Sequence, residues 1–189
     1  SHLHGDHYSG FVWWMLHAHH VARRKAPLTV AGPPGIEQRY LAAAEALFPG
    51  STRVERRFEL RFVELLAEQP AMVDGVGVTA REVSHPSGAP SYALRLEADA
   101  RTLAYSGDTE WVENLLATAR GADLLIAECY GFETTVRYHM SWKVIRENLE
   151  RLAAKRVLLV HMNAEMLSHR ETIDRAGVIV GEDGLTLVI

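Results

Sequence analysis

The stretch Ser1-His2-Leu3-His4-Gly5-Asp6-His7 packs four metal-type side chains into six consecutive positions, His2 to His7. In an extended segment side chains alternate with period two, so His2 and His4 point to the same side and can grip one ion together. Gly5 frees the backbone to turn, which lets Asp6 and His7 swing toward a neighbouring ion. The competing reading is a solvated histidine-rich terminus or a purification-tag remnant, but tags are runs of histidine without a built-in Gly-Asp.

The chain has 189 residues, 48% hydrophobic and 23% charged, which fits one globular α/β domain spanning 1–189. With 20 Lys plus Arg against 24 Asp plus Glu the formal net charge is −4, so no broad cationic surface advertises itself to nucleic acid. Cys129 is the one cysteine; this excludes an internal disulfide and a thiolate zinc cluster, leaving nitrogen and oxygen to hold any metal. No apolar run approaches the roughly 20 residues of a membrane span, and no signal-peptide pattern opens the sequence, so the expectation is a cytoplasmic protein without a membrane partner.

Periodicity predicts a helix over 9–24, a strand over 28–31 and a helix over 36–48 opened by Pro34. Strands follow over 58–66, 76–83, 92–97 and 102–105, with a tight hairpin at Asp99-Ala100. Beyond Asp108 the pattern becomes helix near 110–120, strand DLLIAE, helix 142–153 with Ser141 as N-cap, strand RVLLV, helix 165–175, and two short strands, GVIVG and LTLVI. This is one αβ unit with mixed sheets.

Four more candidates stand where strands give way to loops: His85 after VTAREVS, Asp108 after TLAYSG, His139 before a helix, and His161 after RVLLV. Strand-end loops are where rigid scaffolds display functional groups. Each alone has a plainer explanation as a turn, cap or boundary residue; together with His2, His4, Asp6 and His7 they complete two coordination shells.

The ordered run SHLHGDH, isolated His85, Gly107-Asp108-Thr109, His139-Met140-Ser141 and Val160-His161-Met162 resembles the metallo-β-lactamase superfamily, most closely its ribonuclease Z and cyclic-phosphodiesterase branch. The resemblance implies an αββα sandwich of two mixed β-sheets flanked by helices. It implies one metal on His2, His4 and His85, the other on Asp6, His7 and His161, and Asp108 bridging both. His139 would stay off the metals and face the substrate; Asp6 and His139 are the residues read as catalytic.

Imidazole and carboxylate ligands suit two divalent ions, zinc first, with manganese or iron compatible by ligand type. Two ions about 3.5 to 4 Å apart can share a hydroxide nucleophile and hold the electrophile's oxygens. Two dications against two ligand carboxylates leave the site positive, which favours a small anionic ester, a phosphodiester above all. His139 can then donate a proton to the leaving oxygen. A transfer-RNA 3′ processing nuclease competes, yet the interval between His85 and Asp108 holds only a hairpin where such enzymes resemble one another in a long Gly/Pro-rich arm. Lactonase or thioesterase chemistry survives on the same nucleophile; a redox relative is disfavoured because Asp6-His7 is intact.

Among lesser features, His17 and His20 lie one helical turn apart but without a neighbouring carboxylate, so an exposed helix face is preferred to a metal site. Trp13 and Trp14, with Phe11, Met15 and Leu16, read as core and interface, with a homodimer in view because adjacent Trp cannot both face one core. Glu128 is a candidate to orient a ligand histidine, Cys129 inert packing, and Arg23-Arg24-Lys25 and Arg53, Arg56, Arg57 solvated faces. The resembling family precedes its histidine pair with strands that complete a sheet, so the domain is expected to be N-terminally incomplete here, by roughly 50 to 70 residues, since Ser1 alone is a poor anchor for the pair.

Overall fold

The computed structural model describes residues 1–189. Helix α1 (Gly5–Leu16) runs directly into a π-helical turn, His17–Val21; β1 (Leu28–Gly32), α2 (Ile36–Leu47) and β2 (Leu60–Glu64) follow as a β-α-β unit. A helical crossover returns the chain in its original direction, so β1 and β2 pair in parallel, Leu28 against Leu60 through Gly32 against Glu64. Within residues 1–189 the smaller sheet is this parallel pair alone.

The second sheet has seven strands in sequence order: β3 (Ala71–Val73), β4 (Val76–Glu82), β5 (Tyr92–Ala98), β6 (Arg101–Tyr105), β7 (Leu124–Glu128), β8 (Val157–Val160) and β9 (Val178–Val180). Its first half is an antiparallel meander and its second half is parallel, with α3 (Asn114–Ala119), α4 (Trp142–Leu152) and α5 (Ala164–His169) as crossovers. The β5–β6 turn sits at Asp99 and Ala100, both at positive φ (49° and 57°), a conformation that matches the twist of the flanking strands.

The layers follow from side-chain alternation. In β7 and β8, Leu125, Ala127, Val157 and Leu159 point to one face and pack with Leu115, Ile145 and Met166 of the three crossover helices. On the other face Val78, Ala80, Tyr92 and Leu94 meet Ala31 and Val63 of the small sheet. The small sheet's far side, Leu28, Leu60 and Phe62, packs on Val12, Met15, Tyr40 and Ala44 of α1 and α2. The order is helix, sheet, sheet, helix, as expected.

Several boundaries move. Helix α1 begins at Gly5 rather than residue 9, and α3 is confined to Asn114–Ala119 because Glu110 is tied back to Ser84 by a backbone bond of 3.3 Å. LTLVI forms no strand. After the turn at Gly184, Leu185, Leu187 and Ile189 border an apolar groove with Leu103, Ile126 and Leu158, satisfying their period-two pattern against a sheet face rather than in a ladder. Trp13 and Trp14 are 60% and 40% exposed and are not core; Met15 and Val12 fill that role. Cys129 is buried as expected, and burial pushes its thiol up to about 12. No helix is long and apolar enough to cross a membrane.

Candidate metal centre

Strands β4, β6, β7 and β8 all point the same way, so their carboxyl ends share one edge of the large sheet, the edge where open α/β sheets hold their ligands. His85 follows β4, Asp108 follows β6, Glu128 ends β7 and His161 follows β8. At Gly107 the backbone has φ +60°, and a Cβ there would stand 2.6 Å from the Tyr92 carbonyl oxygen, so only glycine lets the chain pass close to β5 before delivering Asp108. His161 itself has φ +57°; this reversal turns its imidazole back over the sheet edge, at the kind of strained backbone position that clusters in functional sites.

The opening segment is anchored on the same edge. The Tyr92 N–H donates to the Ser1 carbonyl (2.9 Å), the Leu3 N–H to Ser87 Oγ (3.4 Å), and Leu3 is buried. Ser1 is thus held by the start of β5. His4 keeps extended geometry (φ −75°, ψ 145°), and its carbonyl accepts from the N–H groups of His7 and Tyr8 as α1 begins. Asp6 and His7 are swung round by the first helical turn, not by a special conformation at Gly5, whose φ is not positive.

The residues singled out from sequence meet here. Donor atoms of His2, His4 and His85 lie within 4.8 Å of one another, as do those of Asp6, His7 and His161. Between the two triads sits Asp108: its Oδ2 is 3.1 Å from His7 Nε2, 3.9 Å from His85 Nε2 and 4.0 Å from His2 Nε2, and its Oδ1 is 3.5 Å from His161 Nδ1. The first triad is enclosed, whereas the Asp6 side chain is 73% exposed, so the second triad opens to solvent. His17, His19 and His20 stand apart from these groupings.

The outer contacts explain how the rings are aimed. His85 Nδ1 donates to the Tyr138 carbonyl (3.1 Å), which leaves Nε2 unprotonated, 3.0 Å from His4 Nδ1. Glu128 is buried and spent entirely on this edge: one oxygen accepts from the Thr109 N–H, and the other accepts from His139 Nδ1 (2.9 Å) and His161 Nδ1 (3.2 Å). His139 stacks on Tyr130, with centroids 4.7 Å apart and an interplanar angle of 27°. Sequence reading named Glu128 but missed Tyr130, the Tyr138 carbonyl and Ser1; backbone acceptors and stacking partners carry no sequence signature.

Electrostatics sort the rings. Burial, then the charges of His7 and His85, lowers His2 to about 3, and burial lowers His85 as well. The hydrogen bond to Glu128, the largest influence, raises His161. His2 is therefore a neutral imidazole at physiological pH, the form that ligates. Two buried atoms facing the cluster, His2 Nε2 and Asp108 Oδ1, have no hydrogen-bond partner. A buried carboxylate and a buried imidazole nitrogen without partners are costly unless a cation satisfies them, so these donors fit divalent metal ions.

The family model described as Beta-lactamase superfamily domain matches residues 1–162. An uncharacterized protein of Mycobacterium tuberculosis is 31% identical over 134 residues, covering 68% of this chain and 46% of its own, so the chain spans about half the length of that relative. Human tRNase Z, short form, superposes with TM-score 0.77 at 19% identity over 100% of this chain and 77% of that one. A diphosphatase from the PhnP family gives TM-score 0.67 at 17% identity, covering 100% and 69%. At these identities the two structures show a shared fold and no more.

Proposed function

The chain belongs to the β-lactamase superfamily, and on that premise we propose that it is a metal-dependent hydrolase acting on a phosphodiester or a related small anionic ester. The observation that carries this reading is the pair of triads, His2/His4/His85 and Asp6/His7/His161, joined by a buried Asp108. These residues would hold two divalent ions, zinc by donor chemistry. When bound, such ions supply Lewis acidity and bring the pKa of a coordinated water toward neutrality.

The chain's own residues do the rest. The Glu128 carboxylate accepts from His139 Nδ1, so the other nitrogen, Nε2, is the one free to hold or release a proton at a leaving oxygen. Stacking on Tyr130 fixes the plane of that ring. Asp6, at the solvent-facing end, supplies negative charge beside His7 (3.6 Å) and keeps the open triad hospitable to a cation. Phosphorus chemistry is favoured because carboxylates are outnumbered by imidazoles, so a loaded site remains positive toward an anionic substrate. A structural neighbour that is a diphosphatase of the PhnP family, and another that is a tRNase Z, support the same substrate class.

The interval between His85 and Asp108 is occupied by β5, β6 and a short loop, which favours a small substrate over transfer RNA. The test is a panel assay with zinc-reconstituted and manganese-reconstituted protein against a bis-aryl phosphodiester, a lactone, a thioester and a precursor transfer RNA. Turnover is expected on the phosphodiester and little on the others. Site-specific trimming of the transfer RNA, or turnover of the lactone or thioester alone, would overturn the substrate assignment.

A further inference from the structure

Beyond the first turn of α1, which carries Asp6 and His7, the rest of that helix, the π-helical turn and α2 enclose a groove of about 520 Å³, within the range of small-molecule sites. Val12, Met15, Tyr40, Leu47, Phe48 and Val54 form its apolar floor and walls, and the exposed Trp13 packs edge-on against Phe48 at 4.7 Å. Every ionisable or basic side chain lining it other than Tyr40 is nitrogenous: His19, His20 and Arg56. No carboxylate lines it, although the protein's net charge is −4. Glu45 spends its carboxylate on the Gly50 N–H (2.9 Å) and Thr52, while Glu55 is exposed beside Arg56 in sequence.

The nitrogen-rich end is shaped by the backbone. The π-helical turn, closed by the Ala22 N–H on the His17 carbonyl (2.9 Å), carries one extra residue and sets His19 and His20 side by side with ring centroids 4.5 Å apart. His19 Nδ1 is buried and has no hydrogen-bond partner, and the Arg56 guanidinium lies 6.0 Å over the Tyr40 ring. Arg53 and Arg57 are exposed nearby in sequence and extend the same sign of charge. A second copy docked groove to groove would set this rim against itself, which disfavours a self-association surface.

We propose that the groove is a binding site for a soluble amphiphilic anion, with an aliphatic chain on the apolar floor and a carboxylate or phosphate head on Arg56, His19 and His20. The site is independent of the hydrolytic centre. The experiment follows tryptophan emission and calorimetry of the full chain titrated with decanoate, decyl phosphate, decanol and inorganic phosphate, each below its aggregation limit. Decanoate and decyl phosphate are expected to bind, and whichever is tighter identifies the head group. Decanol and inorganic phosphate should bind at least about tenfold more weakly, the size of one lost charge-assisted bond. Arg56→Gln, at a partly exposed position whose folding is checked by its melting temperature, should weaken the anionic amphiphiles by a similar factor and leave decanol unchanged. Equal affinity for decanol, an unchanged Arg56→Gln variant, competition with a phosphodiester for the histidine cluster, or a concentration-dependent dimer that excludes decanoate would each overturn the proposal.

Discussion

At the scale of single residues, four of the site's rings are aimed by a contact that fixes one nitrogen and turns the other toward the cluster. His85 is fixed by a backbone carbonyl, His139 and His161 by one carboxylate oxygen of Glu128, and His2 by Ser1 Oγ at 3.1 Å. His139 differs from the other three because its ring also stacks on Tyr130, and because both triads are complete without it. His139→Ala is therefore expected to keep its full metal content and lose turnover by about 10² to 10⁴, the range for a positioned acid or base. Elemental analysis beside steady-state kinetics decides: an ion lost together with activity would make His139 a ligand. At this scale the sequence was most informative where chemistry demands a residue type, as with His2, His4 and Asp108. It was silent where only a backbone atom matters, as with the Tyr138 carbonyl.

At the scale of elements, the long periodic segments were legible, and the misreadings fall where a segment's partner is not its sequence neighbour. The hairpin at Asp99-Ala100 and the Ser141 cap, whose Oγ accepts from the Val144 N–H, follow from local chemistry and were readable. The small strand β3 was missed although Asp74-Gly75, at φ 46° and 89°, is a strong hairpin signal; three residues are too few for a visible alternation. LTLVI alternates like a strand but uses its apolar residues against a sheet face, a choice that tertiary contacts make.

Asp123 shows how the parallel half is pinned. Its Oδ1 meets Lys155 Nζ at 2.7 Å and its Oδ2 accepts from the Thr102 N–H at 2.9 Å, tying the starts of β6 and β7 to the α4–β8 connection. The Lys155 bond, then the Thr102 N–H, holds its carboxyl at about 2 instead of 3.8. A depressed folded-state value means the ionised carboxylate stabilises the fold above the unfolded value of 3.8, and that this contribution is lost as pH falls toward about 2. Asp123→Asn should accordingly lower the urea midpoint at neutral pH, with the gap to the parent protein closing across that acid interval. A gap that is independent of pH would mean that shape, not charge, is what Asp123 contributes.

At the scale of the whole molecule, the histidine cluster is where the two halves of the fold meet. The opening segment, held at the start of β5, brings His2 and His4, and α1, which packs on the small sheet, brings Asp6 and His7, while the large sheet brings His85, Asp108 and His161. Cations held between them would cross-link the layers, so metal should act on global stability and not only on activity. Ligands that bind only the folded state stabilise it by RT ln(1 + [L]/Kd), about 4 kcal/mol when free metal is a thousandfold above Kd. For a chain of this size each kcal/mol moves the melting temperature by roughly 2 to 4 °C, so removing the ions should lower it by about 8 to 16 °C. Calorimetry of protein treated with a chelator and then re-supplied with zinc measures this directly. Asp108→Ala, which removes the carboxylate between the triads, should melt at nearly the same temperature with and without zinc. The outcome that sinks the idea is a parent protein whose melting temperature ignores both chelator and zinc, for then the buried nitrogens and Asp108 would be satisfied by something other than metal, and the two triads would be a packing arrangement of the fold.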